Sequence, residues 1–271
     1  MIGFMGLAVL VSVFQVEKAA RPQGHALNNL SVPSATRSAT PTKAITYRPA
    51  PTRTPTSTRI PPTATKTLTP VPPTETSSPL FPDKFYITDI KGHRQFYSIG
   101  CEAAAAVDWA RYFGVTINEK EFQDELPISD NPDLGFVGDV EGSWGHIPPE
   151  DYGVHAGPVA ALLRDYGLNA KAAKGLTLDD IKASVAKGNP VIVWVIGNVT
   201  YGTPEEYVDS EGNVTTVAAY EHVVIVTGYG SQTIRYMNNS EIYEVTNKLF
   251  SASWGVLGNM AIYLETEDSE Q

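Results

Sequence analysis

Cys101 is the only cysteine in the chain, and the residues after it run Glu-Ala-Ala-Ala-Ala-Val-Asp-Trp-Ala-Arg-Tyr-Phe-Gly. They are good helix formers with large apolar side chains at Val107, Trp109, Tyr112 and Phe113, and Gly114 is the usual stop. The sequence therefore predicts a helix that begins at the cysteine. Unpaired backbone N–H groups and the positive end of the helix dipole favour a thiolate there, the form in which a thiol is a nucleophile. Gln95, six residues upstream, can fold back to the same helix end. Its amide and the Cys101 backbone N–H would then converge on one point, as stabilisation of an oxyanion requires. A lone cysteine is more often a small buried hydrophobe, so the catalytic reading depends on what else the chain supplies.

A base is available in His222, which opens the run Glu221-His-Val-Val-Ile-Val-Thr-Gly228. Gly230-Ser231 reads as a two-residue hairpin turn between that run and Thr233 to Asn238. With the turn there, His222 faces Asn239 across the strand pair. The asparagine amide oxygen would hold the imidazole in one orientation, which a base serving a thiol needs. A one-residue slip reverses every side chain, so the same turn sends Asn238 to the other face.

Other elements must bring these groups together. Asn118 with Glu121 caps a short helix to about Glu125, Pro158 at a first helical position begins a helix through Tyr166, and Thr177 with Asp180 caps another through Lys187. Asn189-Pro-Val-Ile-Val-Trp-Val-Ile-Gly197 reads as a central strand, followed by a polar loop or irregular hairpin over 198–220. Further strands are expected at 221–228, 233–238 and 259–264. Helices come first and antiparallel strands follow, an α+β order. Between Leu126 and Gly157 lies a long loop rich in Gly, Pro, Asp and Trp, and loops of that length are usually functional when ordered. Trp144, Tyr152 and His155 are expected to border the substrate cleft, or else to pack away from it as a clamp. The acids and histidines of this loop fit neither a calcium-loop order nor helical ligand spacing. No metal and no cofactor are expected.

The first 82 residues have a different character. Residues 1–16 are almost wholly apolar, too short for a comfortable span of about 20 residues but suited to a secretory signal or signal anchor within residues 1–20. Residues 21–82 are dominated by Thr, Pro, Ser and Ala, a composition that cannot bury enough surface to order itself and reads as an extended stalk. Residues 83–271 form the expected domain. The first 82 residues carry a net charge of +6 and the remainder −16. So acidic a domain argues against nucleic acid as its partner. An exported chain with one thiol has no internal disulfide, and the free thiol calls for a use.

His93-Arg-Gln-Phe-Tyr-Ser-Ile-Gly-Cys-Glu-Ala-Ala-Ala, Gly-Phe-Val-Gly-Asp, Tyr-Gly-Val-His-Ala-Gly-Pro-Val, His222-Val-Val-Ile-Val-Thr-Gly-Tyr and Tyr236-Met-Asn-Asn together resemble the C39-like branch of the papain-fold cysteine peptidases. The resemblance spans about residues 85–265 and implies a papain-like α+β fold, with N-terminal helices packed on a C-terminal antiparallel sheet. It implies Cys101 as nucleophile, His222 as base, Gln95 as oxyanion donor and Asn239 as the residue orienting the histidine. The function then expected is a cysteine peptidase, exported or surface-anchored and extracellular, with a monomeric catalytic domain acting on peptide or protein substrates. The same triad also serves cell-wall amidases and transpeptidases, and the fold can persist in a peptide-binding module without turnover.

Overall fold

The computed structural model describes residues 81–265. The N-terminal apolar run and the Thr/Pro tract as far as residue 80 fall outside that range. Among the described residues no helix is long and apolar enough to cross a membrane.

Two β-branched runs form the middle of the sheet, β3 (Val191–Ile196) and β6 (Glu221–Tyr229). Every residue of β3 is buried, because helices cover the sheet around it. Four of those helices are α1 (Cys101–Tyr112), α2 (Glu119–Glu125), α3 (Ala156–Asp165) and α4 (Leu178–Ala186). Helices α1 and α4 pack on β6, and α2 and α3 pack on α1. The expected caps are present: Asn118 accepts from the N–H groups of Lys120 and Glu121, and Thr177 and Asp180 form a reciprocal capping box. The remaining strands are β1 (Phe85–Tyr86), β2 (Ala170–Ala173), β4 (Glu205–Val208), β5 (Val214–Val217), β7 (Thr233–Asn238), β8 (Glu241–Thr246) and β9 (Ala261–Leu264). The main sheet is antiparallel in the order β2-β9-β3-β6-β7-β8, with β1 pairing to the end of β6. Strands β4 and β5 form a separate hairpin within the polar stretch.

Strand β8 and helix α5 (Asn247–Trp254) were not expected. The β8 sequence is nearly all exposed and lacks an apolar alternation, since it is the sheet edge. Thr246 caps α5, accepting from the Leu249 N–H.

The β6–β7 register also departs from the expected one. Gly230 N–H donates to Thr233 O, so the loop residues are Ser231 and Gln232 rather than Gly230 and Ser231. The ladder then pairs Tyr229 with Ile234 and Gly228 with Arg235, passes an irregularity at Thr227, and continues with Val226 against Tyr236 and Ile225 against Met237. The bulge inserts one unpaired residue. Turn and bulge together leave a net slip of one residue at the far end of β6, where His222 lies.

Gly92 brings the segment before α1 against the β7–β8 turn. A Cβ there would lie 1.8 Å from the Asn239 carbonyl oxygen, a contact that only backbone displacement can relieve. Gly92→Ala is expected to cost about 2 kcal/mol or more of stability and to reduce activity beyond the loss of folded protein. Gly157→Ala is the control, since its Cβ would meet nothing nearer than 3.6 Å. Thermal melting and kinetics of the two variants test this.

Candidate active site

Cys101 is the first residue of α1, after Gly100, and is 6% exposed. Its thiol donates to Glu102 Oε2 at 3.3 Å, while the Val154 backbone N–H donates to Glu102 Oε1 at 2.6 Å. Burial pushes the thiol well above its ordinary value, and the carboxyls of Glu102 and Glu221 push it further, against a weaker opposing effect of the Val223 N–H. These surroundings therefore oppose the expected thiolate, burial first and the two carboxyls after it.

His222 lies beside Cys101 at the wall of one cleft, together with Gln95, Trp144, Asn238 and Asn239. Its Nε2 is 2.9 Å from Asn238 Oδ1. Asn239, the expected partner, is not the residue that holds the ring, and the reason is the one-residue slip described above. Ile225 and Met237 are paired and share a face, so His222, three residues before Ile225, shares a face with Asn238, one residue after Met237. The amide of Asn238 is itself oriented. Its Oδ1 also accepts from Asn239 Nδ2 at 3.1 Å, and its Nδ2 donates to Asn198 Oδ1 at 3.0 Å. With Oδ1 as acceptor, Nε2 of His222 must carry the hydrogen, which leaves Nδ1 free to take a proton. Burial lowers the His222 pKa, opposed by the Asn238 bond. Both shifts favour the uncharged forms, the thiol and the neutral imidazole.

Asn239 has a different task. It occupies the first loop position between β7 and β8 with φ of 52°, a conformation asparagine tolerates. Its Oδ1 accepts from the Gln95 backbone N–H at 2.8 Å, tying the segment before α1 to the strand that carries Asn238. Gln95 reaches the cleft, but Nε2 donates to the carbonyls of Tyr97 at 2.8 Å and Ser98 at 3.0 Å. Both amide hydrogens are engaged in the resting protein.

The long loop divides. Trp144 borders the cleft, 46% exposed, with its indole N–H donating to the Glu221 carbonyl at 2.8 Å and its ring edge-on to His222 at 6.2 Å. Tyr152 and His155 are buried elsewhere and do not line the cleft. His155 Nδ1 lies 2.7 Å from Asp133 Oδ1, and Tyr152 packs with Val137 and Val217. They hold the loop down, the clamp arrangement. Burial works against ionisation of Asp133, but His155, Lys174 and Thr215 outweigh it and hold the carboxyl well below the usual range.

Trp144→Ala is expected to lower kcat/KM about tenfold, mainly through KM, with a small change in melting temperature. Steady-state kinetics beside a thermal melt test this. A melting change that outweighs the kinetic one would assign Trp144 to the clamp as well.

Four residues at the site escaped the sequence reading. Asn198 follows β3 in a polar stretch and looks like any loop asparagine. Glu102 has a buried carboxyl whose pKa burial raises to about 7, and Glu221 is raised well above the ordinary range, by burial and then by Glu102. His93 bridges Asp108 on α1 and Glu119 on α2, at 2.7 Å each, and so ties the Gln95 segment to both helices. Cys101, Glu102 and Glu221 bring potential ligand atoms within 4.8 Å of one another, but no other His, Cys, Asp or Glu joins them among the described residues.

The model of the Peptidase C39-like family matches residues 87–262. A crystal structure from Bacillus anthracis, described as a C39-like peptidase, is similar with a TM-score of 0.61 at 21% identity, covering 68% of this chain and 98% of its own. Xylellain, a cysteine protease from Xylella fastidiosa, aligns at 13% identity with a TM-score of 0.40, covering 69% and 87% of the two chains. The peptidase domain of Streptococcus ComA aligns at 12% identity with a TM-score of 0.39, covering 65% and 99%. None of the curated proteins matches the sequence.

Proposed function

The chain belongs to the Peptidase C39-like family and is a cysteine-type peptidase, and from that premise we propose that it cleaves peptide bonds with Cys101 as nucleophile, His222 as base and Asn238 as the residue that orients the base. The observation that carries this reading is the 2.9 Å contact of His222 Nε2 with Asn238 Oδ1, in a cleft that also holds Cys101.

In the proposed reaction the Cys101 S–H bond breaks as Sγ attacks the substrate carbonyl carbon, and the proton goes to His222 Nδ1. The Cys101 backbone N–H is one of the orphan donors at the start of α1 and faces the developing oxyanion. Gln95 supplies a second donor by turning one amide hydrogen from the Ser98 carbonyl. The C–N bond then breaks, the amine leaves with the proton from His222, and water releases the acyl group by the same steps in reverse. Asn238 keeps the ring in plane throughout, and Asn198 keeps Asn238.

The setting we propose is the cell surface or the medium. The apolar residues 1–16 suit a signal or signal anchor, and the Thr/Pro tract suits a stalk spacing the domain from the surface. Product analysis on mixed peptides and on peptidoglycan tests the reaction: peptide cleavage dependent on Cys101 is expected, whereas release of wall fragments alone would assign an amidase. Protease treatment of intact cells tests the location, with loss of the domain from whole cells expected.

A further inference from the structure

Glu102 and Glu221 are the least expected groups beside the nucleophile. Both are buried, at 1% and 3% exposure, and neither takes part in an ion pair among the described residues. Glu102 is fully used: Oε1 accepts from the Val154 N–H and Oε2 meets Cys101 Sγ. Glu221 is fully unused, since neither of its carboxyl oxygens has a hydrogen-bond partner. The backbone closes over both. A Cβ at Gly153 would lie 2.1 Å from Glu102 Oε1 and 3.4 Å from Glu221 Oε2, so only glycine lets the loop approach them.

Two carboxylates this close, buried and without a cation, cannot both be charged. At least one proton stays on the pair. The other titratable groups facing it are Cys101 on the same helix and Tyr152 from the long loop, while His222 follows Glu221 on β6 and so lies on the other face of the strand. Strand β3 brings none, and Asp108, further along α1, is engaged by His93 and Arg111. Among the described residues no cation pairs with either carboxyl.

We propose that Glu102 and Glu221 form a carboxyl pair that governs the charge of Cys101, with Glu102 as a positioning residue for the nucleophile. When Glu102 is protonated, Oε2–H donates to Sγ and supports the thiolate that remains once His222 has taken the thiol proton. When Glu102 is ionised, Sγ–H donates to Oε2 and the thiol is held neutral. Burial keeps Glu102 from ionising in the ordinary carboxylate range, and Glu221, pushed up by burial and then by Glu102, holds its own proton while Glu102 ionises. The protons balance: in the acid form one sits on Glu102, one on Glu221 and the third moves between Sγ and His222. This inference rests on Cys101 as the nucleophile, but thiol ionisation can be read without any peptide substrate.

The test is the rate of Cys101 alkylation by iodoacetamide against pH, in the full chain and two isosteric variants. Wild type is expected to show an inflection near neutrality in addition to the thiol's own, whereas a single-step profile would overturn the proposal. Glu102→Gln keeps the Val154 bond through its Oε1 and places a permanent N–H donor on Sγ. It should lose the neutral inflection and react about tenfold faster near pH 7.5, a one-unit fall in the thiol pKa. Glu221→Gln replaces a carboxyl that keeps its proton while Glu102 titrates, so it should retain the neutral inflection. Loss of that inflection in Glu221→Gln, or its persistence in Glu102→Gln, would overturn the proposal. A second readout uses stability. Burial raises Glu102, so the folded chain keeps a proton that the unfolded chain releases; stability is full in acid and is lost as pH rises through the folded-state value. Glu102→Gln should flatten that loss between about pH 4.5 and 7, and an unchanged slope would count against the pair. If alkylation behaves as described while peptides are not cleaved, the proposed function fails and the carboxyl pair stands.

Discussion

Cys101→Ala and His222→Ala are each expected to lower peptide hydrolysis by about 10⁴-fold or more, and the double variant to lose little beyond either single one. The reason is chemical: one residue supplies the atom that bonds to the substrate and the other takes its proton, so neither retains its role without the other. Nothing else at the cleft replaces them. Glu102 is the next group within reach of Sγ, but it contacts the thiol on the side where the Val154 loop closes over it. Structure should survive the changes. Cys101→Ala leaves Glu102 Oε2 without its thiol donor, a loss of about 1 kcal/mol, and Cys101→Ser restores a donor without restoring a comparable nucleophile. Melting curves beside single-turnover kinetics separate the two effects. Residual hydrolysis within tenfold of wild type in either alanine variant would remove that residue from the proposed pair.

The second large effect is expected at Asn238. Asn238→Ala removes the acceptor that fixes the His222 tautomer and ring plane, and should lower kcat by about 100-fold while leaving the base itself present. Asn239 should matter less. Its amide holds the Gln95 segment and touches Asn238, two steps from the ring. Because Asn239 has φ of 52°, alanine there adds backbone strain of about 1 kcal/mol, and Asn239→Gly is the cleaner variant. It should lower the rate only a few-fold. Comparison at equal folded fraction decides the matter: if the Asn239 variant is the crippled one, the orienting role assigned to Asn238 is wrong.

The pair of asparagines shows where the sequence was legible and where it was not. The helix that begins at Cys101, the caps at Asn118 and Thr177 and the apolar runs of β3 and β6 all follow from local composition, and all are present. Placing His222 against one asparagine or the next depends instead on a turn and a bulge. Gly230-Ser231 is a reasonable turn signal, but the loop forms one residue later, and Thr227 bulges where Ile87 N–H takes its carbonyl and Arg235 its hydroxyl. Ile87 is distant in sequence, so nothing local announces the irregularity. Register is a tertiary property here.

Charge misled in a similar way. An acid in the first turn of a helix is an ordinary complement to the dipole, and nothing in its spacing marks Glu102 for burial. It lies buried because Val154 N–H and the thiol both need an acceptor and because Gly153 admits the loop. The same loop hid the fate of its aromatic residues: Trp144 stays at the cleft, His155 turns inward to Asp133, and Tyr152 is buried against His155. Spacing along a loop without periodicity cannot separate these outcomes.

The central claim is that turnover passes through an acyl group on Cys101, and the most direct measurement is to trap that group. The enzyme is quenched in acid during turnover of a peptide ester, digested, and the adduct located by mass spectrometry. A thioester on the fragment containing Cys101, absent from Cys101→Ala, is the expected result. Wild-type enzyme that turns over with Cys101 unmodified, or Cys101→Ala that hydrolyses the ester at the wild-type rate, would contradict the account.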